Sequence, residues 1–157
     1  MSDTRFQRAN FVVSSIDQAL TFYVDVLGLR LDFIKDSPGD SYTYPVFEIP
    51  RDRPLRFAVL STESQLRVLA LTEIPGALEP VPMPRRAAIV LETPNVDAVV
   101  EGARELGLKV YDEERLVTHD GRVGREVGIT DHDDNLVVIY YIPVSYTHLT
   151  LPTICSV

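Results

Sequence analysis

One pattern is written twice in this chain, and the repeat limits its fold more than any other feature. The first copy runs Asn10-Phe11-Val12-Val13-Ser14-Ser15-Ile16-Asp17 and continues through a helix-like stretch to Leu27-Gly28-Leu29. The second runs Ala88-Ile89-Val90-Leu91-Glu92-Thr93-Pro94-Asn95 and continues to Leu106-Gly107-Leu108. Each copy reads as a strand, an Asx helix cap, an amphipathic helix and a glycine stop. A repeated unit of this size implies two similar modules facing each other across one cavity. What lines that cavity then decides the function.

The intervening residues fill in each module. Residues 6–15 alternate and are rich in Val and Phe, which predicts a strand. Asp17 is the expected cap of the next helix, with Ala19, Leu20, Tyr23, Val26 and Leu27 on its apolar face and Gly28 placed to end it. Residues 29–34 read as a second strand and 36–40 as a turn. Residues 42–49 are extended and aromatic, and Pro45 marks them as an edge strand or an irregular flap. Residues 55–61 and 66–73 read as a hairpin. The proline-rich stretch 75–84 reads as an extended linker. The second module repeats the order: a strand at 87–92, a helix at 96–106 capped by Asn95, strands at 109–117, 123–130 and 136–142, and an acidic turn at 131–135. The order βαβββ, twice, does not suit a doubly wound parallel sheet, where helices separate all the strands. It predicts an α+β fold of paired βαβββ modules forming a cupped mixed sheet around a central cavity. One domain covers 1–143, with module one at about 5–74, a linker at 75–85 and module two at 86–143.

Composition narrows the partners. The formal net charge is −8, and the cluster Arg51, Arg53 and Arg56 is interrupted by Asp52. No basic stripe suited to nucleic acid results. No stretch is long and apolar enough to span a bilayer, and residues 1–10 lack the apolar core of a signal peptide. A single cysteine, Cys155, leaves no disulfide framework. A cytoplasmic location is the default expectation. The final segment, VSYTHLTLPTICSV at 144–157, carries no Asp, Glu, Lys or Arg. It resembles the translation of a transposon-end adapter used in sequencing libraries. It is therefore set aside as a non-native or disordered tail, together with His148 and Cys155.

The stretch Ile16-Asp17-Gln18-Ala19-Leu20-Thr21-Phe22-Tyr23-Val24-Asp25-Val26-Leu27-Gly28-Leu29 and the turn Asp131-His132-Asp133-Asp134-Asn135-Leu136 resemble the vicinal oxygen chelate superfamily of glyoxalases, bleomycin-resistance proteins and extradiol dioxygenases. The resemblance covers nearly all of residues 5–142. It implies that metal-using members carry a His seven residues before the first helix-cap Asp, a second His at the matching place in module two, and a Glu three residues after the Asn of the last turn. Those positions here are Asn10, Ala88 and Val138, and the matching place on the last strand of module one is Ala70. A divalent ion needs several N, O or S donors at roughly 2.0–2.6 Å. Ala and Val offer none and Asn offers one weak neutral oxygen, so no metal and no cofactor is expected. His119 and His132 lie in turn-like segments. The acidic cluster around His132 lacks the spacing of a calcium loop and reads as a solvated turn.

Period-two alternation then sorts the lining. If the lost-ligand positions face the cavity, Val12, Val68, Val90 and Tyr140 face it too, with Asn10, Arg8, Glu92 and Tyr140 as its polar points, and Tyr42, Tyr44 and Phe47 fold over its mouth. The expected ligand site is Asn10, Val12, Tyr42, Tyr44, Phe47, Ala70, Ala88, Val90, Val138 and Tyr140. It is an apolar pocket with sparse polar points, suited to a small hydrophobic or aromatic molecule. Without a metal, chemistry needs a positioned acid or base; Glu126, Glu92, Glu48 and Tyr140 offer one, and Glu126, Glu92 and Tyr140 are the catalytic candidates. No nucleophile elbow, Cys–His pairing or phosphate loop is present. Three readings stay open: a metal-independent binding protein of sequestration type, an enzyme of the resembled family with an atypical metal site or metal-free acid/base chemistry, and a scaffold with a filled pocket. A homodimer is implied only by the resemblance.

Overall fold

Alternation in the first strand fixes which side of the chain becomes core. In β1 (Ala9–Val13), Ala9, Phe11 and Val13 pack inward while Asn10 and Val12 turn to the opposite face. In the computed structural model, which describes residues 3–76 and 78–144, the chain then enters α1 (Ile16–Tyr23). The cap is Ser15 rather than Asp17. Ser15 is extended at φ −151° and its hydroxyl accepts a hydrogen bond from the Gln18 N–H at 3.1 Å. Asp17 sits one residue into the helix, where its charge favours the N-terminal end of the dipole. Ser15→Ala is expected to cost about 1 kcal/mol and to lower the melting temperature by about 2–4 °C in a thermal melt. Ile16, Ala19, Phe22 and Tyr23 are the buried stripe of this helix. Gly28, at φ 83°, turns the chain out of it, and the Leu29 N–H returns to the Tyr23 carbonyl.

The first module continues as β2 (Arg30–Asp36), α2 (Thr43–Val46), β3 (Arg56–Ser61) and β4 (Leu69–Glu73). The expected extended flap at 42–49 is thus a short helical turn. Pro45 is tolerated there because first-turn N–H groups have no partner within the helix in any case. The second module is β5 (Ala88–Glu92), α3 (Val96–Glu105), β6 (Glu114–Val117), β7 (Val123–Thr130) and β8 (Leu136–Tyr141). The long strand expected at 109–117 is cut to its last four residues, preceded by an isolated bridge between Val110 and Ile129.

Two four-stranded mixed sheets result, in the orders β1-β4-β3-β2 and β5-β8-β7-β6. In each, the first strand lies parallel to the last and the other pairings are antiparallel. Neither closes into a barrel. Helices α1 and α3 lie on the same side, because one core cluster contains residues of α1, residues of α3, and inward residues of both sheets such as Leu69, Leu71, Val137 and Ile139. Gly102 of α3 approaches Val26 closely enough that an added methyl would meet its side chain at 3.0 Å. The other face of the second sheet carries exposed residues such as Val90, and that of the first is partly covered, with Val59, Ala70 and Thr72 buried beneath the cavity that residues 37–43 help to line.

The turn between β7 and β8 locks the modules together. Tyr23 donates its hydroxyl hydrogen to Asp131 Oδ2 at 2.7 Å, the Ser14 N–H donates to Asp133 Oδ2 at 3.0 Å, and Asn135 Nδ2 donates to the Val12 carbonyl at 3.1 Å. Asp131 also accepts from the N–H groups of Asp133 and Asn135. The Asx hydrogen bonds expected of this turn are present. The turn is not solvated as expected: Asp131 is 3% exposed and Asn135 6%. Burial raises the Asp131 carboxyl above its ordinary range, and burial together with Asp131 raises the Tyr23 hydroxyl. Residues 145–157 of the tail lie outside the described residues.

Candidate functional site

Strand register decides which side chains share an open face. On the first sheet one row runs Asn10, Ala70, Val59, Phe33 and the next runs Val12, Thr72, Phe57, Lys35. Asn10 is oriented by Thr72, whose hydroxyl donates to Asn10 Oδ1 at 2.9 Å. That leaves the Asn10 NH₂ as the end presented outward. Phe33 and Phe57 meet edge to face at 6.0 Å. A cavity of about 490 Å³ lies on these rows, lined by Arg8, Asn10, Phe33, Phe57, Val59, Arg67, Ala70 and Thr72 together with hydroxyls of the loop before α2. A larger one, about 700 Å³, opens beside it between β1, the segment 47–53, the linker and the β7–β8 turn, with Asn10, Val12, Phe47, Ile49, Ile74 and Val81 in its walls. Asn10 lines both, so the two adjoin at β1.

The second sheet's open face carries a different row. Glu92, Tyr140, Glu126 and Glu114 are successive register partners across β5, β8, β7 and β6, and Val90, Val138 and Gly128 form the next row. The three catalytic candidates are therefore neighbours on one face. Arg125, between them in sequence, turns to the other face and binds Asp97 and Glu113 at 2.6 Å.

The ten expected ligand residues do not converge on one central cavity. Asn10, Val12, Ala70 and Phe47 line the adjoining cavities at the first sheet. Val138 and Glu126 line a separate hollow of about 270 Å³ on the second sheet, and Val90, Glu92 and Tyr140 line another near residues 62–65. Ala88 is exposed on β5. Tyr42 is 77% exposed. Tyr44 is buried with Ile49 and Leu55, and its hydroxyl donates to the Arg53 carbonyl, so it anchors the α2 segment instead of lining a pocket. Of the three aromatics, Phe47 reaches the wall of the larger cavity. Sequence spacing could not separate these cases, because it gives the period of a strand but not the fold of a loop.

The observed cap also moves one inferred ligand position. Seven residues before Ser15 is Arg8, and seven before Asn95 is Ala88. The registers agree: Asn10 and Val90 are equivalent, each opposite the last strand of its module at Ala70 and Val138 respectively. The four positions that the resemblance reserves for imidazole or carboxylate therefore hold Arg8, Ala70, Ala88 and Val138. A guanidinium has no lone pair to give and repels a cation. These residues do not fit a divalent ion. Among the described residues, no group of three or more His, Cys, Asp or Glu side chains is placed to hold one.

Glu73, on β4, is equally committed to structure. Its carboxylate accepts from the Ile16 N–H at 2.7 Å and from Arg56 Nε at 2.7 Å, closing the N-terminus of α1. The Arg56 hydrogen bond, more than any other contact, holds its carboxyl below the ordinary range.

A family model described as the Glyoxalase/Bleomycin resistance protein/Dioxygenase superfamily matches residues 5–139. The chain belongs to this superfamily. No curated protein matches it in sequence. Among solved structures, a glyoxalase family protein from Bacillus cereus superposes with a TM-score of 0.67 at 16% identity, over 92% of this chain and 99% of that one. TnmS3, an antibiotic binding protein from Streptomyces sp. CB03234, gives 0.55 at 21% identity, over 91% and 99%. The fosfomycin resistance protein FosX of Listeria monocytogenes, solved with Mn(II) and a dihydroxypropylphosphonic acid, gives 0.59 at 11% identity, over 91% and 96%. At these identities the likeness is one of fold.

Proposed function

We propose that this superfamily member binds a small hydrophobic or aromatic molecule without a metal, on the open face of its first sheet. The observation that carries the reading is the pair of adjoining cavities at Asn10. They set an aromatic pair and apolar side chains such as Val12, Val59 and Ile49 beside polar and charged groups, among them Asn10, Arg8 and Arg67, a mixture that can both hold and orient a small molecule. The antibiotic binding protein TnmS3, of the same fold, supports a sequestration role. The donor set at Arg8, Ala70, Ala88 and Val138 supports metal independence. A homodimer and a cytoplasmic location belong to the same proposal, and light scattering after size exclusion checks the first.

A second reading rests on the row of Glu92, Tyr140 and Glu126: metal-free acid/base chemistry on the second sheet. Removing Glu126 as Glu126→Gln separates the two, because ligand binding at the first sheet is expected to be unaffected.

The test is a metal assay followed by a ligand screen. Purified protein is expected to carry far less than one equivalent of zinc, iron, nickel or manganese. An aromatic ligand at 100 times its Kd is expected to add about 2.7 kcal/mol to stability, or roughly 5–10 °C in melting temperature. Ala70→Trp, which fills the floor of the smaller cavity, is expected to remove that shift. Stoichiometric bound metal, or a ligand response indifferent to Ala70→Trp, defeats the proposal.

A further inference from the structure

The smaller cavity has a charge opposite to that of the chain around it. The chain carries a formal net charge of −8, yet the walls of this cavity contain two arginines, Arg8 and Arg67, and no aspartate or glutamate. Lys35 adds a third cation on the same open face, in register with Phe57. The remaining polar lining is uncharged: the hydroxyls of Ser37, Ser41, Thr43 and Thr72 and the amide of Asn10, whose NH₂ is left free to donate by the Thr72 hydrogen bond to its oxygen. In a low-dielectric cleft such a one-sign lining focuses potential onto a ligand of the other sign.

Neither arginine is neutralised by a direct ion pair among the described residues, as Arg56 is by Glu73 and Arg125 by Asp97 and Glu113. The nearest acidic influence on Arg67 is Asp32, which is itself held by Ser61 and Arg30. Arg67 sits at φ 56°, a left-handed conformation unfavourable for a residue with a Cβ. Its N–H is tied to Ser61 Oγ at 2.8 Å, and its guanidinium lies 6.0 Å from the centre of the Phe33 ring. A strained backbone that holds a guanidinium over the aromatic wall of a cavity marks a constrained position.

We infer that the first-sheet cavity selects organic anions: an aromatic body against Phe33 and Phe57, and a carboxylate or other oxyanion held by Arg8 and Arg67. The inference rests on the small-molecule reading above and names the ligand class. A charge-assisted hydrogen bond from each arginine accounts for about a tenfold gain in affinity.

The probes are 2-naphthoate, its neutral amide and the corresponding naphthylmethylamine, titrated calorimetrically into the full chain at two salt concentrations. Naphthoate is expected to bind at least tenfold more tightly than the amide and to weaken as salt rises. Arg8→Gln and Arg67→Asn are each expected to cost about tenfold for naphthoate and markedly less for the amide, so that the acid-over-amide preference shrinks in both. Asn is chosen at 67 because it tolerates the left-handed backbone, and Arg8→Lys should restore part of the affinity. Equal binding of amide and acid, preference for the amine, or a naphthoate affinity indifferent to both substitutions overturns anion selection and leaves the small-molecule reading standing. Failure of all three probes to bind overturns both.

Discussion

Asp131→Ala is expected to destabilise this protein by about 3 kcal/mol, a fall in melting temperature of roughly 6–12 °C. The residue has no place in either cavity, and its effect comes from what it satisfies. Its two oxygens accept from the Tyr23 hydroxyl, the N–H groups of Asp133 and Asn135, and Asn135 Nδ2. The methyl of alanine answers none of them, and Tyr23 is fully buried, so water cannot substitute. Tyr23 belongs to α1 and Asp131 to the β7–β8 turn, so the loss loosens the joint between the modules. Chemical denaturation with two probes reads both effects. A loss under 1 kcal/mol shows that the turn is held by Ser14–Asp133 and Val12–Asn135 alone. The pH dependence has a definite sign. Burial raises the Asp131 carboxyl above its ordinary value of 3.8. Just above that value the folded chain therefore binds more protons than the unfolded one, and this group makes stability fall as pH rises through that interval.

Glu73→Ala is expected to cost about as much, on the order of 3 kcal/mol, with the opposite pH signature. It strands the buried Ile16 N–H and leaves Arg56 without its principal partner. The remaining contact of Arg56, with Asp17 at 3.9 Å, is long and exposed and worth little. Because the Arg56 hydrogen bond lowers the Glu73 carboxyl below its ordinary 4.5, the folded chain binds fewer protons than the unfolded one below that pH. Its contribution is complete above 4.5 and is lost as the pH falls through the lowered value. Urea midpoints measured down to pH 3 should fall less steeply below 4.5 for Glu73→Gln than for the parent chain. An unchanged acid slope refutes the linkage.

The two carboxylates show what a sequence reader sees and misses. Both stand at places where periodicity says little. Glu73 ends a strand, where alternation gives its face, opposite to that of Ala70, but not its partners. Its partners, Ile16 and Arg56, are 57 and 17 residues away. Asp131 lies in a run of acidic residues whose ordinary fate is solvent. Only the docking of that turn against β1 and α1 buries it.

The βαβββ order, the glycine stops and the inward stripes of α1 and α3 follow from the local period of apolar residues and from φ preferences, which neighbours in sequence impose. The absence of electron-pair donors at Ala70, Ala88 and Val138 was equally legible, because the identity of a side chain needs no coordinates. Three things were decided by tertiary structure. The cap is Ser15 and not Asp17, so that counting back from it reaches Arg8 where the resemblance implied Asn10. The segment after Ser41 folded as a helical turn and hid Tyr44. The open faces of the two sheets were kept apart, so that Asn10 and Val138 line different hollows. Each depends on how elements far apart in sequence pack against one another, and alternation along a strand carries no record of what lies across from it.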